Sequence, residues 1–146
     1  MKLFTVGYES APQARVIEVL TKAGVELVID VRAVASSRRA GFSKSLLAAS
    51  LGEAGINYVH LRELGTPKAG REAARAGRIA EMRKIFEEHL AEPAAQLQLA
   101  QAMEMAQKAR SALLCYEADP GRCHRLVIYE RIEAQSGCTV EHLSLR

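Results

Sequence analysis

The chain of 146 residues contains no tryptophan, and aromatic residues make up only 5% of it. With so few large rings, Ala, Leu, Ile and Val must supply most of the interior. Hydrophobic residues account for 49% and charged residues for 25%, which are ordinary proportions for a soluble globular domain. The length predicts one domain, residues 1–146, that is large enough to bury a core.

Long hydrophobic runs are also missing. No apolar stretch approaches the roughly 18 residues that a membrane-spanning helix needs. The N-terminus enters a strand-like pattern at Lys2 and lacks the apolar core of a signal peptide. We therefore expect a cytoplasmic protein with no membrane partner.

Cysteine is scarce, and its count is odd: Cys115, Cys123 and Cys138. This number, in a chain of this length, argues against a disulfide scaffold. The net charge is +3 and the pI is about 8.9, which is mildly basic. Such a balance is compatible with phosphorylated ligands or nucleic acid, but it lacks the strong, clustered excess typical of duplex-binding proteins.

Short apolar runs alternate with helical patterns along the chain. Strands are predicted over 2–8, 26–31, 56–61, 111–117 and 138–145. Helices are predicted between them, after Pro12, over 43–54, over 79–90, from Pro93 onwards and over 123–135, with a glycine-interrupted crossover around Gly65, Gly70 and Gly77. This order predicts an α/β fold, a three-layer sandwich with a mainly parallel five-stranded sheet and helices on both faces.

Residues that could bind a ligand or take part in a reaction lie at the ends of three of these strands. Gly7 and Tyr8 end the first strand, Asp30 and Arg32 the second, and Cys115 and Glu117 the fourth, and we expect them to share one edge of the sheet. Residues two apart in a strand point the same way, so the last four form two pairs. The simpler interpretation is that each pair only stabilises its own loop.

The segment Cys123-His124-Arg125 is predicted to open a helix. Backbone donors at a helix start favour a thiolate, and the neighbouring cations add to this effect. Candidate catalytic residues are therefore Cys123, Cys115, Glu117 and His124. Candidate ligand-binding residues are Gly7, Tyr8, Asp30, Arg32, Ser37, Arg38 and Arg125. Of these, Arg32 would bind an anion through paired hydrogen bonds from its planar guanidinium group. A free cysteine that is simply buried is the competing interpretation of Cys123.

Zinc is the metal that these side chains would suit. However, Cys123 and His124 are adjacent, and neighbours on a helix point about 100° apart, so both rarely reach one ion. The sequence has no Cys-x-x-Cys pair. We therefore expect no metal and no other cofactor.

Basic residues recur at helical spacing in the crossover: Arg71, Arg75, Arg78 and Arg83. A stripe of this kind can face phosphates, which keeps nucleic acid among the candidate partners. No aromatic platform accompanies it, and a solvated helix face is the simpler interpretation.

Eight short segments occur along the chain in this order: Thr5–Ser10, Asp30-Val31-Arg32, Ser37-Arg38, Phe42–Lys44, Gly55–Tyr58, Leu64-Gly65, Leu113–Glu117 and Cys123-His124-Arg125. Together they resemble the family catalogued as domain of unknown function 488. The resemblance covers nearly the whole chain and implies a fold and a site, but no reaction. Ala35 and Thr66 depart from the family pattern, which usually has proline and a second glycine there.

A weaker similarity links the chain to rhodanese-like and cysteine-phosphatase domains. They too pair an Asp-x-Arg strand end with a later strand that ends in cysteine. Here Gly121 stands where the phosphatases carry their arginine.

The sequence as a whole predicts a site for a small anionic or nucleotide-like ligand at the edge formed by the strand C-termini. Two functions remain open: a thiol-dependent enzyme, and a non-catalytic module that binds nucleic acid or protein. A structural zinc protein is the third and weakest alternative.

Overall fold

The computed structural model describes residues 1–145. Its strands are β1 (Lys2–Gly7), β2 (Leu27–Asp30), β3 (Asn57–His60), β4 (Ser111–Cys115) and β5 (Thr139–His142). Its helices are α1 (Gln13–Lys22), α2 (Lys44–Glu53), α3 (Lys68–Arg75), α4 (Ile79–Leu90), α5 (Pro93–Lys108) and α6 (Arg125–Ser136). The strands form one sheet in the order β3-β2-β4-β1-β5, and all neighbours are parallel. The predicted α/β sandwich is confirmed.

Two hydrophobic clusters hold the helices against the sheet. On one face, Val16 and Leu20 of α1 and Leu47 of α2 pack against Phe4 and Val28. On the other face, α4, α5 and α6 pack against a second set of strand residues, Leu3, Ile29 and Leu113 among them. Strands covered on both faces need apolar side chains in both directions, which explains why β4 is buried at every position.

The connections change face at β4. The chain leaves β1 and β2 towards the layer of α1 and α2, whereas it leaves β4 towards α6 in the opposite layer. Since β4 lies between β1 and β2, its C-terminal end is flanked on both sides by connections that diverge from its own. Ligands of open α/β sheets bind in crevices of this kind.

The crossover between β3 and α4 contains a helix, α3, that was not predicted because glycines interrupt the sequence pattern there. α3 begins after Pro67 and ends before Gly77, whose φ of +79° suits a residue without a side chain. Gly70 lies inside α3 and is buried, and a Cβ there would be 2.2 Å from Thr66 Oγ1. The glycine therefore reflects close packing against Thr66 rather than a break in the helix.

The last helix begins later than predicted. Residues 120–122 form a short 3₁₀ turn, Cys123 is extended, and α6 starts at Arg125 with His124 before it. Cys123 is therefore not in the first turn of a helix.

Among the described residues, no helix combines the length and the apolar character that a membrane span requires.

Candidate functional site

The C-terminal ends of β1, β2 and β4 lie side by side. Gly7 is opposite Cys115, the Tyr8 amide donates to the Cys115 carbonyl at 3.3 Å, and the Val31 amide donates to the Leu114 carbonyl at 3.1 Å. The structure therefore brings together the three polar strand ends that the sequence predicted to meet. A cleft of about 1020 Å³ opens over them, at the upper end of the usual range for small-molecule sites.

Two sulfurs and an imidazole form the floor of this cleft. His124 Nδ1 lies 3.7 Å from Cys115 Sγ and 3.7 Å from Cys123 Sγ, and the three atoms all lie within 4.8 Å of one another. Cys115 and His124 line the cleft, whereas Cys123 is completely buried behind them. Cys123 and His124 were predicted to point about 100° apart on a helix, and this prediction is wrong, because Cys123 is extended rather than helical.

The orientation of the imidazole is fixed from its far side. His124 Nε2 is 2.7 Å from the carbonyl oxygen of Val31. A carbonyl only accepts hydrogen bonds, so Nε2 carries the proton. In the neutral ring this leaves the lone pair of Nδ1 directed at the two sulfurs.

This arrangement favours one thiolate shared by the pair. Burial opposes the charge on Cys123, but the hydrogen bond from Cys115 and the positive charges of His124 and Arg125 outweigh it and lower the pKa of Cys123 well below that of a free thiol. The hydrogen bond to Cys123, together with burial, raises the pKa of Cys115. The backbone amide of Arg125 also points at Cys123 Sγ, at 3.5 Å.

Glu117 lies beside the cluster. Cys115 Sγ is also within hydrogen-bond distance of Glu117 Oε2, at 3.4 Å. Burial and the nearby charge of Cys123 raise the pKa of Glu117. A carboxyl group that readily holds a proton next to a sulfur suits proton transfer.

The guanidinium group of Arg32 forms its hydrogen bonds with other residues of the protein. Its Nε and one terminal nitrogen hold Asp30 at 2.7 to 3.0 Å, and its other terminal nitrogen donates to the Tyr8 hydroxyl at 3.1 Å and to the Phe42 carbonyl at 2.7 Å. Tyr58 donates a further hydrogen bond to Asp30. Arg32 touches the cleft, but most of its donors are occupied, so its observed contacts are those of a structural ion pair.

Arg125 does not line the cleft. Its side chain is 1% exposed, and it donates to the carbonyls of Glu117 at 2.7 Å and Ala118 at 3.4 Å. It therefore holds the segment that carries Glu117. Gly7 serves the same segment, because a Cβ on Gly7 would lie 1.8 Å from the Glu117 carbonyl oxygen.

Ser37 and Arg38 lie in the loop after β2, outside the lining of the cleft. Ser37 Oγ accepts from the Arg39 amide at 3.2 Å. The Arg38 side chain is exposed and forms no hydrogen bond or ion pair within residues 1–145. Tyr8 does line the cleft, and its ring stacks on Phe42 with centroids 4.1 Å apart.

The walls of the cleft carry cations that the sequence did not place there. Arg71, Arg75 and Arg122 all line it. Arg71 donates to the Thr66 carbonyl at 2.9 Å, whereas Arg75 and Arg122 have no side-chain partner in the described part of the chain. Their convergence depends on α3, which the sequence pattern did not reveal.

Two further residues of the walls were missed. The hydroxyl of Thr66 is buried and has no partner within residues 1–145, although the residue lines the cleft. Tyr116 is 46% exposed and presents its ring there, in edge contact with Tyr8. Tyr116 lies within the segment 113–117 that resembles the family, and Thr66 departs from the family pattern, but only the fold shows that both side chains line the cleft.

The predicted stripe of basic residues does not form one surface. Arg71 and Arg75 face the cleft, but Arg78 is paired with Glu81, and Arg83 is paired with Glu87 at 2.9 Å and with Glu130 at 2.7 Å. Half of the stripe is thus neutralised within the protein.

Comparison with known protein families gives a match over most of the chain. The family model described as domain of unknown function DUF488 matches residues 12–132. No curated protein and no solved structure matches the chain. The weaker similarity to rhodanese-like and cysteine-phosphatase domains is therefore not confirmed.

Proposed function

This chain belongs to the DUF488 family, whose description assigns no activity, and we propose that it is a thiol-dependent enzyme acting on a small anionic substrate. The substrate binds in the cleft, and its reacting group lies against the floor formed by Cys115, Cys123 and His124. One observation carries this proposal: Cys115 and His124 line the same cleft as the unpartnered Arg75 and Arg122.

The charges around the cleft favour an anion. Two of the acidic groups already accept hydrogen bonds from the backbone: Glu9 from the Ala118 amide at 3.1 Å, and Asp119 from the Gly121 amide at 2.9 Å. The guanidinium groups of Arg75 and Arg122 have no such partner in the described structure, and a planar guanidinium binds phosphate or carboxylate through two parallel hydrogen bonds. The exposed ring of Tyr116 adds a flat surface for a nucleotide-like substrate.

The buried polar floor favours an enzyme over a purely binding module. A module that only recognises an anion needs cations and backbone donors, not a pair of sulfurs oriented by an imidazole. In the proposed reaction the thiolate form of the floor is the active one. His124 orients the floor through Val31, and Glu117 holds or releases a proton beside Cys115.

Loss of Arg75 or Arg122 is expected to weaken anion binding. Each side chain supplies a hydrogen bond to a charged group, worth about 1.5–3 kcal/mol, so Arg75→Ala or Arg122→Ala should lower affinity about ten- to a hundredfold. Isothermal titration of the full chain with inorganic pyrophosphate measures this change.

Arg38→Ala is the matched control, because Arg38 is equally free of partners but lies outside the cleft. It should bind pyrophosphate like the unmodified protein. Equal losses in all three variants would indicate a general effect of net charge and would contradict the assignment of the cleft.

A further inference from the structure

We propose that the floor of the cleft is a zinc site, with Cys115 Sγ, Cys123 Sγ and His124 Nδ1 as its three protein ligands. This inference rests on the proposed function in that it takes the same floor as the reacting centre, and it names the cofactor of that centre. Two thiolates and an imidazole are ligands that zinc prefers.

The distances match tetrahedral coordination. Zinc binds sulfur at about 2.3 Å and imidazole nitrogen at about 2.0–2.1 Å, which in a tetrahedron puts nitrogen and sulfur about 3.5–3.6 Å apart. His124 Nδ1 lies 3.7 Å from each sulfur, and all three atoms are within 4.8 Å of one another. The same geometry puts two zinc-bound sulfurs about 3.8 Å apart, so an ion fits between the nitrogen and the sulfurs once the sulfurs, at most 4.8 Å apart here, take up that separation.

The surroundings of the ligands are those of a metal site. A histidine ligand usually donates its second ring N–H to a carbonyl or carboxylate, and His124 Nε2 does so to Val31 at 2.7 Å. The Arg125 amide points at Cys123 Sγ at 3.5 Å and supports charge on that sulfur. Two thiolates also balance the charge of a divalent ion, which reduces the cost of burying it.

Three protein ligands leave the fourth coordination position open, as in catalytic zinc sites. Cys115 and His124 both line the cleft, so the open position is directed to the space in which the substrate binds. A zinc ion there would polarise an oxygen of the anionic substrate or of a bound water. The carboxyl group of Glu117 lies next to Cys115 and would exchange a proton with that substrate oxygen or water.

Metal analysis of the untagged full chain, produced with zinc in the medium, tests the proposal. We expect one zinc per chain, and loss of it in Cys115→Ser, Cys123→Ser and His124→Ala. Cys138→Ser is the matched control: Cys138 is also buried and also free, but it is not part of the cluster, so this variant should keep its zinc. Zinc content that is equal in Cys115→Ser and in Cys138→Ser would overturn the proposal.

A second measurement does not depend on the folding of any variant. The chelator-treated chain, titrated with Co²⁺, should show thiolate-to-cobalt charge transfer and the intense visible bands of tetrahedral cobalt, saturating at one equivalent. Weak octahedral bands alone would overturn the proposal.

The two proposals fail in different ways. Absent zinc, with pyrophosphate binding that still depends on Arg75 and Arg122, would overturn the zinc site and leave the substrate cleft intact. Bound zinc, with pyrophosphate binding that is indifferent to both arginines, would support the zinc site and overturn the proposed function.

Discussion

Arg32→Ala is expected to destabilise the protein by about 3–5 kcal/mol, because it leaves the buried Asp30 carboxylate without its counter-ion. Arg32 is 5% exposed and Asp30 is completely buried, and their closest contact is 2.7 Å. The substitution also removes the donors to Tyr8 and to the Phe42 carbonyl, which tie β1 and the loop after β2 to the strand end. Urea unfolding followed by circular dichroism measures the loss.

Arg38→Ala controls for the removal of one positive charge, and should stay within about 0.5 kcal/mol of the unmodified protein. If Arg32→Ala were as stable as Arg38→Ala but had lost pyrophosphate binding, Arg32 would be the anion ligand that the sequence predicted, and its ion pair would be incidental.

Gly7→Ala adds a single methyl group, and we expect it to disrupt the site more than a methyl group added at any other position. The added Cβ would lie 1.8 Å from the Glu117 carbonyl oxygen and 3.0 Å from an Arg125 nitrogen, so the backbone of the segment after β4 must move. Overpacking costs about 1–3 kcal/mol in a core that can adjust, and a clash with backbone falls at or above the upper end of that range. Stability should fall, and pyrophosphate affinity should fall with it, because Glu117 and Tyr116 would be displaced.

Gly52→Ala is the matched control for Gly7→Ala. Gly52 lies in α2, and a Cβ there meets nothing within 4 Å. Alanine at such a helical position should stabilise the protein by about 0.4–1 kcal/mol. Comparable losses in the two variants would show that the close approach at Gly7 does not matter.

Much of the fold could be predicted from the sequence, because its signals are local. Apolar runs such as 27–29 and 112–114 lie in strands covered on both faces, and turn glycines such as Gly24 and Gly137 end helices at positive φ. The helix α3 was missed because Gly70 weakens its pattern. Gly70 is explained by contact with Thr66, which no pattern in the sequence records.

The meeting of the polar strand ends was predicted better than the contacts of their residues. Position in the chain places Asp30, Arg32, Cys115 and Glu117 at one edge of a parallel sheet. Which guanidinium is free depends on packing: Arg32 and Arg125 are buried against acceptors, whereas Arg75 and Arg122 are not. The same holds for the sulfurs, since the extended backbone at Cys123 turns two neighbouring side chains towards one point.

The proposed function requires that the anion-binding walls and the sulfur-containing floor form one site. Alkylation of Cys115 by iodoacetamide in the chelator-treated chain, followed by peptide mass spectrometry, tests this requirement most directly. Saturating pyrophosphate should slow modification of Cys115 without changing that of Cys138, and Arg75→Ala combined with Arg122→Ala should abolish the protection. If pyrophosphate, at concentrations that fill its binding site, left the rate of Cys115 modification unchanged, the walls and the floor would not form one site.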